Sequence, residues 1–241
     1  MVSSTGMIDG FLAIVIVVLC ILIGIFSILK SKTTLQKITG IVIICMGLTM
    51  LGPMIDFFTL LATNINTELW EIYPILGYIW ILPILVLGVI MGAEAILPGK
   101  KKLLIIISAL LGIIFEIVLF YTVMNEDPMV FIKSDTSILN PNESLLNMRI
   151  IIEEMLGIIL IVSMIICLVM IFIIDGIGFM QKAGESSGVI KNKFILISLG
   201  WILFIVFGVI DSIIDLGDLI SIPRMLIIIS AGCLYLGTRP S

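Results

Sequence analysis

Seven long apolar runs, separated by short polar segments, limit what this chain can fold into more than any other feature of its sequence. A run of about twenty apolar residues can cross a bilayer as a helix, and lipid offers the backbone no other partners. Hydrophobic residues make up 61% of the chain and charged residues 12%, whereas soluble domains are about half apolar and about a quarter charged. We expect one all-α integral membrane domain over residues 1–241, a polytopic seven-transmembrane helix bundle with spans at approximately 9–30, 37–61, 70–95, 103–124, 149–180, 194–215 and 219–238.

The basic residues predict how this bundle is oriented. Cytoplasmic loops carry an excess of lysine and arginine, and ten of the thirteen such residues here follow every second apolar run. We therefore expect a multi-pass protein of the cell membrane with its N-terminus outside and its C-terminus in the cytoplasm. Two acids near these clusters, Glu94 and Asp175, are expected to pair with the lysines. The ten basic residues are Lys30, Lys32, Lys37, Lys100, Lys101, Lys102, Lys182, Lys191, Lys193 and Arg239.

Several chemistries are excluded by what the chain lacks. It contains no histidine, so His-ligated zinc or haem and His-activated nucleophiles are unavailable. The last span has no lysine that could carry retinal, and the spans leave no length for a soluble catalytic domain. We expect no cofactor, no enzymatic activity and no nucleic acid partner. The four cysteines are expected to be buried apolar side chains rather than redox groups: Cys20, Cys45, Cys167 and Cys233.

Ionisable side chains in or beside the spans concentrate at the end predicted to be outside. Such groups are costly in a bilayer and usually face the bundle interior or a water-filled cavity. Arg224 begins the last span at this end, where it can pair with an acid or with a ligand carboxylate. Carboxylates suit hard cations such as Na⁺ or Ca²⁺, although the sequence leaves any metal open. The candidates for ligand binding or ion coupling are Asp56, Glu116, Glu153, Glu154, Asp211, Asp215 and Arg224.

Each of these candidates also has a structural interpretation. The spacing of Asp211, Asp215 and Asp218 places three carboxylates on one helix face, but the last two could equally mark the end of a helix among lipid headgroups. Glu116 is either a proton-binding group, because an unpaired buried carboxylate favours its neutral form, or a partner in an interhelical hydrogen bond. Glu153 and Glu154 are also typical of interfacial residues.

Prolines and small residues predict the local geometry of the helices. Pro53 and Pro83 lie inside apolar runs, where proline removes a backbone hydrogen bond, so we expect kinks in spans two and three. Small residues spaced four apart, such as Gly88 and Gly92, let helices approach closely. We interpret these spacings as packing within the bundle rather than as a dimer face.

Two stretches carry a resemblance to known proteins. The segment FEIVLFY at 115–121 with NEDP at 125–128, and the closing YLGTRP at 235–240, resemble prokaryotic, especially archaeal, seven-helix membrane proteins of uncharacterised function. These proteins are in turn similar to the N-terminal seven-helix sensor region of some histidine kinases. The resemblance implies a membrane sensor module, here without the phosphoacceptor histidine and kinase domain that follow it in those kinases.

Three functions remain open on the sequence. The first is a ligand-sensing module whose acidic outer cavity recognises a small cation or cationic solute, and which signals through a cytoplasmic or membrane partner. The second is a small transporter coupled to protons or cations, which would fit an arrangement of spans one to three and five to seven as parallel repeats. The third is a structural membrane subunit whose acids only make interhelical hydrogen bonds.

Overall fold

A computed structural model of the protein describes residues 4–63, 72–124, 131–133, 148–150, 155–213 and 217–239. Within these ranges the chain is helical apart from one short antiparallel strand pair, in which Ile132 lies opposite Arg149. The strands are β1 (Phe131–Lys133) and β2 (Met148–Ile150). The α-helices are α1 (Ser4–Leu29), α2 (Thr34–Leu48), α3 (Leu51–Thr63), α4 (Ile72–Tyr78), α5 (Ile81–Ile96), α6 (Lys101–Met124), α7 (Met155–Ile171), α8 (Gly178–Gly184), α9 (Gly188–Ile213) and α10 (Ser221–Thr238).

Six helical segments of the described chain are long and apolar enough to cross a membrane. A seventh is formed if α2 and α3, which bend by 41° at their junction, count as one span. The surfaces of the membrane-spanning segments carry many large exposed apolar side chains, including Phe11, Leu22, Ile106 and Ile173. An apolar surface of this extent is compatible with an integral membrane protein. The six segments are Gly6–Leu29, Tyr73–Ile96, Pro98–Met124, Gly157–Gly184, Gly188–Ser212 and Ser221–Thr238.

The kink predicted at Pro53 is confirmed. Helix α2 ends at Leu48, residues 49–50 form a turn, and Pro53 lies in the first turn of α3, where its missing N–H matters least. Pro83 occupies the same position in α5, just after a turn at residues 79–80. Span two is therefore bent at the turn that precedes Pro53, whereas span three has only a turn near its start and continues as one segment, Tyr73–Ile96. By contrast, α9 is one uninterrupted helix, so the predicted correspondence between spans two and six does not extend to their shape.

Two helix pairs pack with their backbones in close approach. A Cβ added to Gly24 in α1 would lie 2.6 Å from the carbonyl oxygen of Gly40 in α2. In α10, a Cβ on Gly237 would lie 2.9 Å from the carbonyl oxygen of Lys193 in α9. The Ser230 hydroxyl also donates to the carbonyl oxygen of Gly200 at 2.7 Å. The pairs α1–α2 and α9–α10 thus form the most closely packed parts of the bundle.

The small-residue spacing in α5 is used inside the bundle, as predicted. A Cβ on Gly88 would lie 2.8 Å from the Trp201 ring of α9, and a Cβ on Gly92 would lie 2.5 Å from Ile174. Ile174 belongs to a π-helical segment, Phe172–Ile177, which joins α7 to α8. The fully buried Trp201 is among the largest side chains of the core. Helix α5 therefore packs against spans five and six through its glycines.

Candidate functional site

Arg224 lies in the first turn of α10 and is almost completely buried, with a side chain 2% exposed. Its Nη1 donates to Oδ1 of Asp9 at 2.6 Å, and its Nε donates to Oδ1 of Asp211 at 3.4 Å. The sequence predicted that Arg224 would pair with an acid at this end of the bundle, and the contact with Asp211 confirms it. A buried guanidinium requires such partners, because an unpaired charge there would be strongly destabilising.

Asp9 was not among the predicted site residues, although it makes the shorter of the two contacts with Arg224. The sequence places it at the start of the first apolar run, where it reads as part of a short N-terminal tail. In the structure it lies within α1, 2% exposed. The sequence does contain one indication of this contact. The first span and the last span both begin on the predicted outer side, and Arg224 at the start of the last span needs a carboxylate. The ion pair links residues 215 positions apart.

Asp56 belongs to the same region of the molecule. It is fully buried in α3, one helical turn after Gly52. The ring of Tyr73 packs over Gly52, with ring carbons 3.2 Å from the position of an added Cβ. Tyr73 lies within electrostatic range of Arg224, Asp56, Asp9 and Asp211. Five helices, α1, α3, α4, α9 and α10, therefore bring polar groups to one buried cluster, which we call the outer charge cluster: Asp9, Asp56, Tyr73, Asp211 and Arg224.

The outer charge cluster borders a cavity of about 100 Å³. Asp211 and Arg224 line it, with Ser212 and Tyr78, whose side chains are hydrogen-bonded to each other. Most of the remaining wall is apolar and comes from spans two, three, five and six, including Pro53, Ile84, Met164, Leu168, Ile171 and Phe204. Apolar cavities of roughly 150 Å³ can hold a benzene-sized molecule. The cavity therefore suits a small ligand with an apolar body and one polar end.

The charges of the cluster do not balance. With one arginine and three aspartates, the formal sum is 1 − 3 = −2 if all four are ionised. Arg224 is committed chiefly to Asp9, whereas Asp211 makes the longer contact and keeps 14% of its side chain exposed. Asp211 is thus the carboxylate most accessible to a second positive partner. A site of this composition favours binding of a proton or a cation over an anion.

The other predicted site residues do not join this cluster within the described chain. Glu116 in α6 is partly buried, does not line the cavity and makes no hydrogen bond or ion pair with a described residue. Glu153, Glu154 and Asp215 lie outside the described residues. Asp218 lies in a 3-10 helix, Gly217–Ile220, after α9 has ended at Ile213, so the predicted α-helical face does not extend to it.

At the opposite end, one of two predicted ion pairs is confirmed. Glu94 accepts a hydrogen bond from Lys101 at 3.1 Å, on the surface. The prediction for Asp175 was wrong, because this residue is fully buried and pairs with no lysine of the described chain. The cysteines are free and at least partly buried, as predicted. No group of three acidic or cysteine side chains among the described residues could hold a metal ion.

Neither family models, nor curated proteins, nor solved structures provide a match to the chain. The resemblance to seven-helix sensor regions accordingly stays a prediction.

Proposed function

We propose that this protein is a membrane-embedded binding module that recognises a small cation or cationic solute at the outer charge cluster. In this proposal it acts as a sensor, through a cytoplasmic or membrane partner protein, without a cofactor and without enzymatic activity. The observation that carries the proposal is the position of Asp211. This partly exposed carboxylate lines an apolar cavity and shares Arg224 with Asp9, which holds the arginine at the shorter distance.

The proposed mode of ligand binding follows from the two walls of the cavity, one polar at Asp211 and the other apolar. A ligand such as a tetraalkylammonium ion would place its charge near Asp211 and its alkyl groups against Leu168 and Phe204. Binding would weaken the contact between Asp211 and Arg224 and so change how α9 is tied to α1 and α10. A ligand shifts a conformational equilibrium only through such differential contacts. Ligand binding in the cavity would therefore change how these helices pack.

The test is the thermal stability of purified protein with tetramethylammonium, Na⁺ or Ca²⁺. A ligand that binds only the folded state stabilises it, by about 2.7 kcal/mol at a hundred times its Kd. We expect one of these cations to raise the Tm of the wild type but not of Asp211→Asn. If no probe changes the Tm of the wild type, the acids have a structural role and the proposal fails.

Gly208 offers a sharper variant with a matched control. It lines the cavity, and a Cβ added there would meet nothing within 4 Å. The leucine side chain of Gly208→Leu should therefore extend into the cavity, occupy it and abolish the Tm shift. Gly232→Leu is the control, because Gly232 is also helical and equally open but does not line the cavity. A ligand response that survives in Gly208→Leu would place the binding site elsewhere.

A specific observation also favours the second candidate, a small cation- or proton-coupled transporter. The bend of span two and the turn of span three both border the cavity, through Thr49 and Met50 in one and Tyr78 and Ile81 in the other. Discontinuous helices commonly form the substrate and ion sites of transporters. Reconstituted protein should then move the cation across liposome membranes, and Asp211→Asn should abolish the flux. Unchanged flux in Glu116→Gln would remove Glu116 from the mechanism, and binding without flux would leave the sensor.

A further inference from the structure

The bundle contains a second buried carboxylate that the outer charge cluster does not use. Asp175 lies about 30 Å along the helix that begins at Met155, at 1.5 Å per residue, in the half predicted to face the cytoplasm. It is fully buried, and no side chain of the described structure bonds to either carboxylate oxygen, so the Gly92 backbone of α5 is its one polar neighbour there. A buried carboxylate without a side-chain partner calls for a physical explanation.

The backbone around Asp175 departs from the α-helix at this residue. Phe172–Ile177 is π-helical, within a segment that otherwise continues from Gly157 to Gly184. The neighbouring carbonyl of Gly176 accepts a hydrogen bond from the Ser198 hydroxyl of α9 at 2.5 Å. Short π-helical insertions in α-helices are frequent at functional sites. The distortion and the unpaired carboxylate therefore coincide.

No group of metal-binding side chains surrounds Asp175 among the described residues. A Cβ on Gly92 would lie 2.7 Å from Oδ1 and 2.9 Å from Cγ of Asp175, so the α5 backbone packs directly on the carboxyl group. A Cβ at position 92 would force the Asp175 side chain to shift. A hydrated or six-coordinate cation needs several oxygen ligands around it, whereas a proton occupies no additional space.

No ionised side chain in the described part of the molecule is placed to neutralise Asp175. The elements packed against its segment are α5, α7, α8 and α9. Their titratable groups are Glu94, paired with Lys101, Cys167, Lys182, paired with Glu185, and Lys191, Lys193 and Asp211. Lys191 is exposed at the start of α9 and Asp211 lies at its other end. None of these side chains bonds to Asp175.

We propose that Asp175 is a proton-binding site. A hydronium ion of the aqueous phase supplies the proton and leaves as water, and the carboxylate becomes a neutral carboxyl group with no change of oxidation state. The neutral form removes the large cost of an unpaired charge in this environment. Because Asp175 packs on α5 and lies one turn after the cavity-lining Ile171, loss of the proton would disturb the packing of spans three, five and six. This inference does not depend on the proposed cation site.

Infrared spectroscopy of the full-length protein in lipid nanodiscs tests this proposal. At neutral pH we expect a carbonyl stretching band of a protonated carboxylic acid, which shifts in D₂O and is lost in Asp175→Asn. The band should persist in Glu94→Gln, which removes a nearby but exposed and paired carboxyl group. A spectrum of Asp175→Asn with the same protonated-acid band as the wild type would overturn the proposal.

A second variant keeps the proposal testable if Asp175→Asn does not fold. Gly92→Ala places a methyl group against the carboxyl oxygen and should shift the frequency of the same band, whereas Gly99→Ala, with nothing within 4 Å of the added methyl group, should not. An unshifted band in folded Gly92→Ala would assign the protonated acid to another residue and contradict the inference.

Discussion

Arg224 is the only basic side chain among the described residues that is buried. Its guanidinium is buried against two carboxylates from different helices, α1 and α9. Replacing a whole buried ion pair by apolar residues is often tolerated, but removing one partner leaves the others charged and unpaired. The pairing therefore specifies which helices meet at this end of the bundle.

We expect Arg224→Met to lower the free energy of unfolding by about 3–5 kcal/mol, because it leaves Asp9 and Asp211 without their cation. The measurement is chemical or thermal unfolding in detergent micelles. Lys102→Met is the control, since Lys102 is exposed and surface substitutions usually change stability by about 0.5 kcal/mol or less. Equal losses in the two variants would show that the buried pairing contributes little.

Substitutions of the two carboxylates, Asp9 and Asp211, should lower the free energy of unfolding by different amounts. Asp9 is 2.6 Å from the arginine and 2% exposed, whereas Asp211 is 3.4 Å away with a side chain 14% exposed. We expect Asp9→Asn to be more destabilising than Asp211→Asn, because the shorter and better buried charged hydrogen bond is the stronger one. The opposite order would mean that Asp211, and not Asp9, is the main partner of Arg224.

At the level of helices, close backbone packing depends on a few glycines. Gly24 and Gly40 bring α1 and α2 together, and Gly200 and Gly237 bring α9 and α10 together. Such contacts replace the hydrophobic driving force that is missing between helices in lipid. The spacing of the small residues in α5 was visible in the sequence, and these residues pack inside the bundle as predicted. The Gly24–Gly40 contact joins two different helices, so no spacing within a single helix indicates it.

Gly24→Ala should destabilise the protein by about 1–3 kcal/mol, the usual cost of overpacking a tight contact. The added methyl group would lie 2.6 Å from the Gly40 carbonyl oxygen, and backbone cannot move aside easily. Gly232→Ala is the matched control, with nothing within 4 Å, and alanine there should slightly stabilise α10. Comparison of the two melting temperatures checks the prediction; a neutral Gly24→Ala would mean that α1 and α2 can separate freely.

For the whole molecule, the orientation in the membrane is a prediction from the pattern of basic residues, and it can be tested directly. Gly99 and Met124 lie at opposite ends of the segment that contains α6, and both are exposed. A membrane-impermeant maleimide should label Met124→Cys in intact cells and Gly99→Cys only after permeabilisation. The wild type is the background control, because its four cysteines lie within the apolar helices. The reverse labelling would invert the topology and place the outer charge cluster on the cytoplasmic side.

The presence of six or seven long apolar helices and the bend before Pro53 could be predicted from the sequence, because each depends on nearby residues. Apolar length is matched to the thickness of a bilayer, and proline acts on its own helix. The partners of buried charges could not be predicted in the same way. Asp9 meets Arg224 only because α1 packs against α10, and Asp175 lacks a lysine because its helix turns it inward, against Gly92. Which acids become a site was therefore settled by helix packing, a long-range property that local patterns do not encode.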